Sequence, residues 1–182
     1  MCKDPSEQDA DRLSRGFAPV VSGCPRVLLL GSLPGALSLA KQQYYAQPRN
    51  AFWSIMSALC GAGPDAEYEY RIARLAAAGI ALWDVLAAAE RPGSLDSAIV
   101  ESSVRTNNFD GFFRTHASIG AVFFNGKKAA QLFEKRVLPG LDGVSDTLVR
   151  ATLPSTSPAF ASMTVARKQE IWLDAIGPLL RP

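Results

Sequence analysis

Short unbroken apolar runs alternate in this chain with longer stretches whose apolar residues return every three or four positions. Val27-Leu28-Leu29-Leu30, entered at Arg26 and ended by Gly31, reads as a strand covered on both faces. Residues 80–83 and 119–124 read the same way, and 147–153 form a fourth strand. Between them, Phe52, Ile55, Met56 and Leu59 put one apolar stripe on a helix over residues 51–60, stopped by Gly61 and Gly63. Tyr68, Ile72 and Leu75 do the same for 65–78, with Gly79 at the end. Asn108 stands where it can cap a helix over 109–115. Further helices are expected over 127–137 and 165–180, and the segment 139–146 is a turn-rich loop.

Strands that alternate with helices predict an α/β fold, a parallel sheet with helices on both faces. Such sheets hold their ligands outside the carboxyl ends of the strands, which directs attention to the loops after Leu30, Trp83, Phe124 and Leu153. The 182 residues suit one domain. Residues 1–15 are polar and mixed in charge and read as a flexible tail, leaving 16–182 as the domain.

Composition narrows the function classes. Apolar residues make up 48% and charged residues 20%, the balance of a soluble globule, and no apolar run reaches the roughly 20 residues that a membrane helix needs. No signal-peptide pattern opens the chain, so the expectation is a cytoplasmic protein. Cys2, Cys24 and Cys60 stand apart and His116 is the lone histidine, so neither a disulfide framework, an iron–sulfur cluster nor a metal site is expected. A net charge of +2 leaves any phosphate-binding surface to local clusters.

Three segments carry candidate chemistry. Gly31-Ser32-Leu33-Pro34-Gly35 follows the first strand and Leu153-Pro154-Ser155-Thr156-Ser157-Pro158 follows the fourth. Loops of small residues and Pro let backbone N–H groups approach a ligand closely, and they also serve as plain strand-to-helix turns. Neither fits a Walker loop or the dinucleotide fingerprint. The third segment, 42–53, mixes aromatic rings, amides and a cation, which suits base stacking and base-edge reading. Read alone, Asn50 is equally an N-cap and Tyr45, Phe52 and Trp53 are core. His116 precedes the third strand and is read as a surface residue at a helix end, away from a Ser–His catalytic pair.

Read together, Gly31-Ser32-Leu33-Pro34-Gly35, Ser38-Leu39, Gln43-Tyr44-Tyr45-Ala46, Pro48-Arg49-Asn50 and Phe52-Trp53 resemble the first motif of hypoxanthine-DNA (deoxyinosine) glycosylases, a branch of the uracil-DNA glycosylase superfamily. The segment from Leu153 to Ala159 resembles the second motif of that branch. The likeness extends to Gly16-Phe17-Ala18-Pro19-Val20, Leu82-Trp83-Asp84-Val85-Leu86, Gly93-Ser94-Leu95-Asp96-Ser97 and Phe124-Asn125-Gly126. It implies a three-layer α/β/α domain around a four-stranded parallel sheet. It also implies monofunctional, cofactor-free removal of a deaminated base from double-stranded DNA, by a monomer. The uracil-directed branches carry Asn or Asp where this chain has Leu33, and the classical one has a His in its second motif, which is absent here. Hypoxanthine is therefore the expected base, with uracil or xanthine as alternatives.

The resemblance assigns catalysis to Asn50, whose carboxamide would hold the attacking water. Gly31, Ser32, Leu33, Pro34 and Gly35 would line the base pocket, with Tyr45 stacking on the flipped base. Arg49, Ser155, Thr156 and Ser157 would contact DNA phosphates, and Phe160 stands where a wedge or a packing residue belongs. Lys127 and Lys128 read as a solvated helix face or as added phosphate contacts, and Asp84 as a turn residue or a water-orienting group. No lysine stands in either loop, so no Schiff-base step is expected. A DNA-binding module without turnover and a small-molecule nucleotide-binding protein are the readings from other classes.

Overall fold

Every residue of Val27–Gly31 is buried, and this strand lies at the centre of the sheet. The computed structural model describes residues 13–21, 23–141 and 148–180. In chain order the strands are β1 (Leu13–Arg15), β2 (Val27–Gly31), β3 (Ile80–Asp84), β4 (Leu86–Glu90), β5 (Arg105–Thr106), β6 (Ala121–Asn125) and β7 (Val149–Leu153). The helices are α1 (Ala36–Lys41), α2 (Phe52–Cys60), α3 (Tyr68–Ala77), α4 (Phe109–Thr115), α5 (Lys127–Arg136) and α6 (Val165–Leu180).

The main sheet is four-stranded and wholly parallel, in the order β3-β2-β6-β7, with Leu29 opposite both Leu82 and Phe123. Alternation along β2 feeds two cores. Leu28 and Leu30 face a layer with Phe109, Phe113 and Phe133 from α4 and α5, while Val27 and Leu29 face Phe52, Ile55, Leu75 and Trp172 from α2, α3 and α6. The three-layer α/β/α fold expected from the sequence is the one observed. Each fully buried Leu, Ile or Phe in these layers contributes roughly 1.5–3 kcal/mol. The chain leaves β2 for β3 on one side and later returns to β6 on the other. The strand order therefore reverses at β2, and a crevice opens between the carboxyl ends of β2 and β6.

Some expectations need correction. Leu13–Arg15, read as tail, pairs antiparallel with β4, and residues 1–12 lie outside the described residues. With β5 this makes a second, three-stranded sheet that the alternation did not reveal. Leu86-Ala-Ala-Ala-Glu90 carries helix-favouring alanines, and pairing on both edges overrides that propensity. The short helix α1 is not among the helices that the apolar spacing predicts. The helix expected from residue 65 starts at Tyr68, because the Ala66 amide closes a turn onto Gly63. Of the loop expected over 139–146, residues 142–146 lie outside the described residues, and Leu138–Gly140 form a single 3₁₀ turn. Asn108 caps α4 as anticipated, accepting the Gly111 amide at 3.0 Å.

Candidate active site

All four parallel strands deliver residues to one cavity at their carboxyl ends. Its volume is about 690 Å³, within the roughly 300–1,000 Å³ of small-molecule sites. Ser32 to Gly35 come from the loop after β2, Asp84 from the end of β3, Asn125 from the end of β6, and Ser155 to Phe160 from the loop after β7. Tyr44, Tyr45, Gln47, Arg49 and Asn50 close one side, and Ser94, Leu95 and Asp96 another. The two motif loops meet directly, through a 3.0 Å bond from the Ala51 amide to the Thr156 carbonyl.

The first loop is held from behind. Arg91, only 5% exposed, donates to the carbonyls of Leu33 and Pro34. A trans peptide sends its N–H opposite to its C=O, so a clamped Pro34 carbonyl turns the Gly35 amide away from Arg91. Among the described residues, the Leu33 and Gly35 amides find no protein acceptor. Ser32 spends its hydroxyl on Asp96, 2.6 Å away, and Asp96 stands 3.8 Å from Arg91. Ser94 accepts the Ala36 amide at 3.1 Å, which folds the 94–96 segment onto the loop as a wall. Gly31 is absent from the lining, contrary to expectation. It pairs in register with Asp84, and a Cβ there would collide with the Asp84 carboxyl, so its lack of a side chain makes room for that group.

Asn50 is half-buried at the start of α2, and its Oδ1 accepts the Phe52 amide at 3.0 Å. One lone pair thereby fixes the carboxamide, and the other stays available. The N-cap position itself falls to Ala51, which makes no side-chain cap bond, so Asn50 braces the turn that enters α2 while it lines the cavity. Tyr45 stacks on Phe52 with centroids 3.9 Å apart and planes 17° from parallel, which covers one face of its ring. Its backbone is left-handed, at φ 52°, a conformation that costs an L-residue roughly 1–2 kcal/mol. The Tyr45 hydroxyl accepts from Asn125 Nδ2 at 3.0 Å. Burial, with Asp84 adding, raises the Tyr45 phenol, so it stays protonated. Tyr44 is more deeply buried and packs edge-on against Phe17.

In the second loop, Thr156 is 1% exposed, and its amide and hydroxyl are both engaged by Asn125 at 2.8 Å. Thr156 therefore ties loops together: its amide is spent on Asn125, while its hydroxyl oxygen accepts from Asn125 and keeps its own proton. Ser155 and Ser157 accept the Ser157 and Ala159 amides with their hydroxyl oxygens, leaving their hydroxyl protons to donate outward. Phe160 lines the cavity. Its carbonyl accepts from the buried Lys168 at 2.7 Å, and the Lys168 Nζ lies 5.0 Å from its ring centroid. Arg49 is exposed at the rim. Lys128 is drawn into an ion pair with Glu101 at 2.7 Å and does not line the cavity. Lys127 is exposed on α5, and His116 ends α4, against Phe112.

Asp84 is 3% exposed, and its Oδ2 has no hydrogen-bond partner among the described residues. Burial pushes its carboxyl up to about 8; Asp96 adds to the rise and Arg91 opposes it. The cluster holds two carboxyls and one guanidinium. Arg91 lies nearer to balance with Asp96, which leaves Asp84 as the group that stays neutral.

The profile described as the Uracil DNA glycosylase superfamily matches residues 19–176, nearly the whole described domain. This chain belongs to that superfamily. Hydrolysis of a base–sugar bond in DNA comes with the membership. Similar proteins include one named hypoxanthine DNA glycosylase from Methanosarcina acetivorans, 35% identical over 142 residues, 73% of this chain and 89% of that protein. Another of that name, from Methanosarcina barkeri, is 30% identical over 155 residues, 80% and 97% of the two chains. A solution NMR structure from M. acetivorans, described as a candidate uracil DNA glycosylase, superposes with a TM-score of 0.76 at 33% identity, covering 93% of this chain and 99% of that one.

Within the glycosylase fold, the sequence-predicted residues Ser32 to Gly35, Tyr45, Arg49, Asn50, Ser155 to Ser157 and Phe160 all surround one space. The sequence reading missed the parts that hold it. Asp84 had a signal, a carboxylate directly after an apolar strand, and was read as a turn residue or a water-orienting group. Asn125 had a similar signal, a polar carboxamide at the end of an apolar strand. Nothing in sequence marks Arg91 or Lys168, because their partners are backbone carbonyls 57 and 8 positions away.

Proposed function

We propose that this glycosylase removes hypoxanthine from deoxyinosine in double-stranded DNA and acts in base-excision repair. The observation that carries the reading is the single cavity in which the Asn50 carboxamide, an aromatic ring with one covered face and the loop of Ser32 to Gly35 converge. The names of the Methanosarcina relatives support the choice of base. So does Leu33, an apolar residue where uracil-directed branches carry Asn or Asp.

The nucleotide swings out of the duplex and its base enters the cavity, with the free face of Tyr45 stacking on it. The bond between the sugar and N9 breaks towards an oxocarbenium-like sugar, and water completes the reaction at C1′. The free lone pair of Asn50 holds that water. A fixed amide suffices because the sugar cation needs little nucleophilic push. The Leu33 and Gly35 amides are donors for charge gathering on the departing purine, and each such donor typically supports roughly 3 kcal/mol of transition-state stabilisation. The hydroxyls of Ser155 and Ser157 and the Arg49 guanidinium contact phosphates, and Phe160 fills the gap that the flipped base leaves.

Release of free base from duplexes carrying hypoxanthine, xanthine or uracil tests the choice. Fastest release of hypoxanthine supports the proposal, and fastest release of uracil replaces the substrate. Tight binding to all three with no release removes the catalytic reading.

A further inference from the structure

The mechanism above leaves the Asp84 carboxyl unused. That side chain lines the cavity at the end of β3, is 3% exposed and carries an oxygen with no partner among the described residues. Its backbone is fixed by pairing with Gly31 and by the Asn107 side chain, whose Nδ2 donates to the Asp84 carbonyl at 2.8 Å. The bare Cα of Gly31 leaves the carboxyl its space. A buried polar atom without a partner is costly to keep, so its persistence in the cavity wall calls for a ligand partner.

We propose that Asp84 acts as a neutral carboxylic acid and delivers its proton to a ring nitrogen of the purine as it leaves. The role rests on the cavity being the site of base release. The C1′–N9 bond breaks and its electron pair goes to the base. The Asp84 proton passes to the base, which departs neutral. Water adds its oxygen to C1′, and the proton it sheds returns through solvent to the Asp84 carboxylate. Atoms and charge balance without any further reactant.

The surrounding groups keep the carboxyl protonated. Asp96 lies across from it on the 94–96 wall, Arg91 follows β4, and the phenols of Tyr44 and Tyr45 face it from the segment before α2. Of these only Arg91 favours the ionised form, and Arg91 is shared with Asp96. The carboxyl, pushed up to about 8, therefore stays neutral below that pH and loses its proton above it.

Single-turnover release from a deoxyinosine duplex is measured from about pH 6 to about pH 10 for wild type and Asp84→Asn, with melting curves to check folding. Wild-type release should hold steady to about pH 8 and then fall by about tenfold per unit. Asp84→Asn should release base on the order of a hundredfold more slowly at about pH 7, with no further alkaline fall. A duplex carrying N7-methylated hypoxanthine, a leaving group that needs no added proton, separates acid catalysis from packing. On that duplex the deficit of Asp84→Asn should shrink to a few-fold. A deficit of equal size on both duplexes overturns the proposal, as does an Asp84→Asn variant with the wild-type rate and pH profile. Wild type releasing no base from hypoxanthine, xanthine or uracil duplexes overturns the substrate reading and this role together.

Discussion

Asn125 and Thr156 are joined by two 2.8 Å hydrogen bonds of opposite sense, the Thr156 amide donating to Oδ1 and Nδ2 reaching the Thr156 hydroxyl. The same Nδ2 reaches the Tyr45 hydroxyl, so one side chain at the end of β6 ties the second loop to the stacking ring. Asn125→Ala strands the buried Thr156 amide, which costs about 1–3 kcal/mol. Urea unfolding should show the midpoint fall with little change in slope. Base release should slow even at saturating enzyme, because two walls of the cavity lose their common anchor.

Gly31 and Asp84 are set against each other by register. Gly31→Ala forces a methyl into the Asp84 carboxyl and should destabilise by about 1–3 kcal/mol. The cost should shrink markedly in an Asp84→Ala background, where the colliding atoms are gone. A double-mutant cycle on unfolding free energies measures the coupling.

Tyr45 has one ring face covered by Phe52 and a strained backbone, an arrangement suited to presenting the other face. Tyr45→Ala should weaken capture of the flipped base by about 1–3 kcal/mol, seen as a higher enzyme concentration for half-maximal single-turnover release. Tyr45→Phe keeps the ring and should stay within a few-fold of wild type. If the two variants behave alike, stacking is not the role.

Stability should depend on pH through Asp84. The native state keeps its proton up to about pH 8, whereas the unfolded chain releases it near the ordinary value of 3.8. Folding is therefore favoured most below that lower value, and the contribution declines as pH rises towards 8. Asp84→Asn removes the titration. Its melting temperature should exceed that of wild type at about pH 9, and the gap should close towards about pH 5. A stability gain beside an activity loss is the pattern of a group kept for function.

The parallel sheet was legible because β2, β3 and β6 are buried on both faces and leave unbroken apolar runs. The second sheet was not, since β4 is largely alanine and β5 only two residues long. In the site, the loop residues announced themselves through Gly, Pro and hydroxyl density. The residues behind them did not. Arg91 and Lys168 bind backbone carbonyls, which leave no mark in a sequence, and Thr156 looks like its serine neighbours until its burial is seen. Asn50 was read both as a cap and as a catalytic amide. The cap falls one residue later, at Ala51, and Asn50 instead braces the turn through its Phe52 bond while lining the cavity.

The central claim is that the Asn50 carboxamide serves hydrolysis in this cavity. Single-turnover release of hypoxanthine from a deoxyinosine duplex by wild type and Asn50→Ala, with duplex binding followed in parallel, tests it most directly. The account predicts release by wild type, a loss of at least about a hundredfold in Asn50→Ala, and binding within a few-fold of wild type. Equal release by the two proteins, or no release by wild type, contradicts it.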